Sequence, residues 1–196
     1  MSARSLIALR EAASNCRECP LGARATQTVW GEGRARAPLM LVGEQPGDRE
    51  DIAGRPFVGP AGQLLDRAIA SLGWERSALY ITNAVKHFSF ELRGKRRIHK
   101  TPAQLEILAC QHWLQSEIDA VEPGAIVALG RVAASALLGR PIKVMSERGH
   151  WLRRDDGIEV LITVHPSALL RGDPAQRESA YADWLADLSA ATSRLV

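Results

Sequence analysis

Four short apolar runs punctuate the chain: PLMLVG at 38–43, ALYITN at 78–83, AIVALG at 125–130 and EVLITV at 159–164. Each has the length of a strand, and none alternates cleanly between apolar and polar positions, which is the pattern of strands covered on both faces of a parallel sheet. Between the runs the period changes. In AGQLLDRAIASLG at 61–73, Leu64, Leu65, Ala68, Ile69 and Leu72 fall on one helical stripe that stops at Gly73. TPAQLEILACQHWLQSEIDAV at 101–121 offers Thr101 as N-cap and Pro102 in the first turn of another helix. The stretches at 34–38 and 90–102 read as loops from their charge and proline. Alternation of this kind predicts an α/β fold, a three-layer α/β/α sandwich on a central parallel four-stranded sheet, with ligands at the carboxyl ends of the strands.

Composition narrows this picture only a little. With 196 residues, 46% of them hydrophobic, the chain is expected to form one domain over 1–196, with a Cys-x-x-Cys segment near its start and a basic loop at 90–102. A formal charge of +3, spread over 25 basic and 22 acidic residues, tilts mildly towards polyanions. No internal repeat is present. There is no secretory apolar run and no stretch of about 18 apolar residues, so a cytoplasmic protein without membrane contact, and a monomer, is the expectation. Three cysteines cannot all pair with one another, which leaves metal binding or simple burial as their readings.

The chemistry should sit just after the strands. GEQPGDREDIAGRPFVGPAG at 43–62 contains neither a G-x-G-x-x-G fingerprint nor a lysine-bearing phosphate loop. Its Glu44, Asp48 and Asp51 suit a solvated acidic loop as well as a site, and Phe57 suits either a core plug or a platform on which a base stacks. Asn83 presents a donor and an acceptor side by side, as reading a pyrimidine edge requires, and is equally a common turn residue. His165 stands at the tip of the last strand, where Pro166 ends it. Leu169, Leu170 and Arg171 follow, either as an apolar wedge beside a cation or as a short helix with core leucines.

Taken together, GEQPGDRED, GRPFVGPAG, ITNAVK and HPSALL resemble the uracil-DNA glycosylase superfamily, in particular the family 4 enzymes that carry a 4Fe-4S cluster. The basic insertion GKRRIH at 94–99, and EQPG where EAPG is more usual, resemble the family X branch, UdgX, known for covalent capture of uracil-containing DNA. The resemblance implies that Phe57 stacks on a flipped uracil, Asn83 bonds its edge, His165 donates to the oxygen that becomes negative, and Glu44 and Gln45 line the pocket. Asp48 and Asp51 match acidic positions of the same motif, acting chemically or holding the loop. Lys95, Arg96, Arg97 and Arg171 would meet the nucleic acid, and the cations around His99 would keep its ring neutral for attack on the sugar, with Glu44 orienting or deprotonating it.

The same resemblance implies four cluster ligands. Cys16 and Cys19 supply the Cys-x-x-Cys pair, Cys110 a third thiol, and His87 stands where family 4 has a further cysteine. Such a Cys3His set is admissible for iron–sulfur and also for structural zinc. The expected partner is uracil-containing DNA, with single strands accepted or preferred. The competing expectations are an ordinary turnover glycosylase, in which His99 only touches phosphate, and a non-catalytic DNA-binding or redox module.

Overall fold

The computed structural model describes residues 5–195. In chain order its strands are β1 (Glu32–Gly33), β2 (Leu39–Gly43), β3 (Tyr80–Asn83), β4 (Phe90–Arg93), β5 (Arg96–His99), β6 (Ala125–Leu129), β7 (Trp151–Arg153) and β8 (Glu159–Thr163). The helices are α1 (Leu6–Ala13), α2 (Pro20–Arg24), α3 (Asp48–Ala53), α4 (Pro60–Ser71), α5 (Gln104–Val121), α6 (Arg131–Leu138), α7 (Val144–Glu147), α8 (Pro166–Arg171) and α9 (Arg177–Ser189).

The main sheet has six strands in the order β1-β3-β2-β6-β8-β7. Its four inner strands are parallel and coincide with the four apolar runs, while β1 and β7 add antiparallel edges. Alternate residues of the inner strands serve two different layers. Leu39, Leu41, Val127 and Leu161 pack towards α4 and α9 through Leu65, Ile69, Trp184 and Leu188. Met40, Val42, Ile126 and Ile162 pack towards α5 and α6 through Leu114, Ile118, Ala133 and Leu137. This is the three-layer sandwich expected of strands that are apolar on both faces. No helix among the described residues is long and apolar enough to cross a membrane.

Three expectations are corrected. The basic stretch at 90–102 is not irregular, because β4 and β5 pair antiparallel as a hairpin, with Phe90 opposite His99 and Arg93 opposite Arg96 around Gly94 at φ +61°. The helix expected from Thr101 begins only at Gln104. Ala103 is still extended, and the Glu106 carboxylate accepts its N–H at 2.7 Å, so Ala103 is the cap and Thr101 lies outside. Part of the loop at 43–62 folds as α3, where Asp48, Glu50 and Asp51 crowd the first turn and complement the helix dipole.

One fully buried ion pair ties the sheet to α5. The Glu117 carboxylate accepts from Lys86 Nζ at 2.5 Å, from Tyr80 Oη at 2.9 Å and from the Gly31 N–H at 2.9 Å. Lys86 Nζ also donates to the Asn83 carbonyl at 2.6 Å, which fixes the carboxyl end of β3 from below. With both charges enclosed, removing either partner leaves the other stranded, at a cost of about 3–5 kcal/mol.

Candidate active site

β2 and β3 end side by side, Gly43 opposite Asn83, and the chain then turns out of the sheet. A Cβ on Gly43 would stand 2.4 Å from Asn83 Oδ1 and 2.6 Å from Phe57 Cζ, so only glycine lets these two side chains meet over the strand end. Phe57 holds φ at +55°, a left-handed conformation rare for an aromatic residue. Its carbonyl lies against Gly62, where a Cβ would come within 1.8 Å. Phe57 is 5% exposed, belongs to the core beneath α4, and still lines the cavity above the sheet. One ring thus belongs to the core and also borders the cavity, a position open to the plug and to the platform alike.

That cavity has a volume of about 430 Å³ and is bordered by Phe57, Asn83, His99, His165, Ser167 and Arg171, together with Gln45 and Asp48. Asn83 is buried, and its Oδ1 has no hydrogen-bond partner among the described residues. An unpaired buried acceptor is costly, so an N–H donor in the cavity would relieve it. His165 caps α8. Its Nδ1 accepts the Ser167 N–H at 3.2 Å and lies 2.7 Å from Ser167 Oγ. A backbone N–H can only donate, so Nδ1 is unprotonated and the neutral ring carries its proton on Nε2. Burial, with Arg171 and His99 nearby, pushes the His165 pKa down to about 4 and keeps the ring a neutral donor.

The hairpin brings the fourth group. Gln45 clamps its base: the amide nitrogen donates to Ser89 O at 3.2 Å and Lys100 O at 3.0 Å, and Oε1 accepts the Ser89 N–H at 2.9 Å. Arg97 docks the outer face. Its Nε donates to Asp48 Oδ1 at 2.6 Å and its Nη1 to Asp51 Oδ2 at 2.5 Å, while the guanidinium stacks over Phe88 and Phe90. Asp51, which is completely buried, also accepts the Thr26 N–H at 3.0 Å. Arg97 is thus a strut rather than a free phosphate contact, and Asp51 its anchor; Asp48 pairs with Arg97 while also reaching the cavity wall. Lys95 and Arg96 lie exposed at the tip of the hairpin, away from the cavity lining.

At the end of β5, His99 stands with Nε2 3.6 Å from Glu44 Oε1, its side chain 46% exposed and that of Glu44 22%. Oε1 is buried and has no hydrogen-bond partner among the described residues. Burial lifts the Glu44 carboxyl above the usual range, against the pull of Arg131 and Arg171. The His99 pKa is held below the ordinary histidine range, first by burial and then by Arg171, against a smaller opposing effect of its own backbone carbonyl. The direction expected from sequence holds, with a different cause: burial and Arg171 act on the ring, in place of Lys95, Arg96, Arg97 and Lys100.

Just beyond the carboxyl end of β3, around Val85 and Lys86, the three thiols gather. Cys19 caps α2 and packs with Leu21, Val85 and Cys110, and Cys16 and Cys19 both act electrostatically on Cys110. The buried Cys110 thiol, pushed up to about 12 by its enclosure, accepts the Lys86 N–H at 3.2 Å; Trp113 Nε1 donates to Cys16 Sγ at 3.4 Å. His87 is buried, and its Nε2 lies 3.0 Å from Thr28 Oγ1. That hydroxyl donates its own proton to Ala13 O at 2.8 Å, so it accepts from Nε2 and leaves a lone pair on Nδ1. Among the described residues no group of three or more His, Cys, Asp or Glu side chains is arranged around a single metal ion.

The model of the "Uracil DNA glycosylase superfamily" matches residues 30–189, which takes in every inner strand and every cavity residue. The chain belongs to this superfamily. A Type-4 uracil-DNA glycosylase of Pyrobaculum aerophilum is 39% identical over 180 residues, covering 86% of this chain and 86% of that protein. One of Thermotoga maritima is 38% identical over 162 residues, covering 82% and 81%. A Type-5 uracil-DNA glycosylase of Pyrobaculum aerophilum is 32% identical over 163 residues, covering 71% and 65%. In this uracil DNA glycosylase fold, sequence reading missed Ser167, which sets the His165 tautomer, and Arg131, which acts on Glu44. The serine sits in the HPSALL motif and was open to notice; the arginine, on another element, left no signal.

Proposed function

We propose that the protein excises uracil from DNA and then retains the deoxyribose through a covalent bond to His99. The observation that carries this reading is the placement of His99 on the wall of the cavity that holds Phe57, Asn83 and His165, against the unpartnered Glu44 oxygen. A uracil ring stacked on Phe57 presents its N3–H to Asn83 Oδ1. His165 Nε2–H donates to the carbonyl oxygen that gains charge as the C1′–N1 bond breaks and the bonding pair leaves with the base. The sugar is then an oxocarbenium-like electrophile. The lone pair of the neutral His99 ring forms a bond to C1′, and the ring, momentarily cationic, releases its remaining N–H proton with Glu44 as acceptor. A neutral alkylated imidazole is a poor leaving group, so the adduct persists. Fixed beside the sugar, the ring competes with water through effective concentration.

The partner under this reading is uracil-containing DNA. Single strands are accepted readily because flipping a base from them breaks less stacking and pairing. Cys16, Cys19 and Cys110, with His87 through Nδ1, would hold a 4Fe-4S cluster. The fit is supported by three thiols from two distant segments, by N–H donors aimed at two sulfurs, and by the free Nδ1 lone pair. Such a cluster would supply a cross-link that ties the segment around α2 to the turn after β3 and to α5.

An ordinary turnover glycosylase is the second reading, favoured by the relatives named Type-4 uracil-DNA glycosylase. Denaturing electrophoresis with a uracil-containing oligonucleotide separates the two. A boil-resistant protein–DNA band that is lost in His99→Ala carries the proposal. Free abasic product in molar excess over wild-type protein rejects it.

A further inference from the structure

A second groove, of about 320 Å³, adjoins the cavity between α4, α8 and α9. The two share Leu170, which stands 37% exposed while its neighbour Leu169 is buried in the core. Leu170 is thus a ridge with the cavity on one side and the groove on the other. The groove has an apolar floor of Leu64, Pro174 and Tyr181, and carries Arg67 and Arg177 on its sides, with Glu178 as its single acid. Arg67 lies with its guanidinium 4.7 Å from the centre of the Tyr181 ring, a stacked arrangement that leaves its edge N–H groups free to meet an anion. Among the described residues neither Arg67, Arg177 nor Arg171 forms an ion pair, so a line of cations runs from the cavity mouth over the ridge and along the groove.

We infer that this groove is a subsite for a nucleotide neighbouring the extruded uracil on the same strand, its phosphate met by Arg67 and Arg177 and its base or sugar laid on Tyr181 and the apolar floor. The inference rests on the uracil-excision reading of the cavity and extends it. Continuity decides the occupant: a strand that delivers one base on one side of Leu170 must carry its next phosphate over or around that ridge, and the far side offers arginines with an aromatic surface between them. Single strands are bound in this manner elsewhere, by cations along the backbone and aromatic platforms under the bases.

The test uses single-stranded probes carrying 2′-fluoro-2′-deoxyuridine, whose glycosidic bond resists cleavage because fluorine destabilises the oxocarbenium ion. A trinucleotide with the analogue in the middle is compared with probes lengthened by four nucleotides on the 5′ or the 3′ side. For wild-type protein, lengthening on one side tightens binding by on the order of tenfold at low salt. Arg67→Ala with Arg177→Ala abolishes that gain and lowers the slope of log affinity against log salt by about 1.4 for the long probe. The same variant leaves trinucleotide affinity and excision from a deoxyuridine trinucleotide unchanged, and Arg67→Lys with Arg177→Lys keeps most of the gain. A gain from lengthening that survives loss of both arginines overturns the subsite while leaving the cavity reading intact. Failure of wild-type protein to bind the trinucleotide or release its uracil removes the cavity reading, and the subsite with it.

Discussion

His99 Nε2 lies 3.6 Å from Glu44 Oε1, a carboxylate oxygen that no other group among the described residues satisfies. Glu44 follows β2 and, unlike its neighbour Gln45, is not among the residues that border the cavity, whereas His99 ends β5 on the cavity wall, so their meeting is a product of the docked hairpin.

Glu44→Gln keeps the shape and removes the base. DNA binding measured by anisotropy is expected to stay within about twofold, while the rate of adduct formation falls on the order of a hundredfold, the lower range for loss of a positioned general base. Equal crosslinking rates in the two proteins would remove Glu44 from the chemistry.

Gln45 controls where the His99 ring sits without itself reacting. Gln45→Ala breaks three hydrogen bonds at the hairpin base and leaves Ser89 and Lys100 groups unpaired. Displacement by an ångström is worth up to about a hundredfold in rate, so adduct formation should fall more than uracil release, and free abasic product should accumulate. A merely structural role predicts that both fall together; the ratio of adduct to released product, read on one gel, distinguishes them.

Acid should inhibit later than a free histidine would suggest. His99 must be neutral to attack, and burial with Arg171 holds its pKa below the ordinary 6.5, so the acid limb of adduct formation lies at lower pH than a free histidine would give. Arg171 lowers both His99 and Glu44. Arg171→Ala therefore moves the acid limb to higher pH, which a pH profile of single-turnover rates reads directly. Stability follows His165: its pKa is about 4 folded and near 6.5 unfolded, so the unfolded chain binds the extra proton and stability declines as pH drops from about 6.5 towards 4.

Purified protein is expected to be brown and to contain iron and acid-labile sulfide. His87→Ala loses that absorbance and melts at lower temperature, whereas His87→Cys retains it, since thiolate is a cluster ligand in its own right. Zinc in place of iron would instead assign the Cys3His set to a single-ion site.

Legibility in the sequence tracked burial. β2 and β6 are buried at every position, so an unbroken apolar run announced them. β1 has two residues and β7 three, too short for any period to register. The hairpin was misread because β4 and β5 are largely exposed: Glu91, Arg93 and Arg96 share one charged face of the ladder, and charge alone looks like loop. Residues at strand ends, Asn83 and His165, were legible from position. The Gln45 clamp was not, because it joins groups 44 and 55 residues apart that nothing local connects. The docking contacts of Arg97 were hidden for the same reason, since its partners Asp48 and Asp51 come from another part of the chain.

The pairing of Phe90 with His99 also sets a rule of parity. Neighbouring positions on a strand look to opposite sides, so a slip of one residue along β5 would swing the imidazole out to water, whereas the exposed turn at Gly94 and Lys95 can gain or lose residues beyond the ladder without disturbing its aim. Length variation among close kin of this chain should therefore collect at that tip, and the three residues before His99 should keep their count.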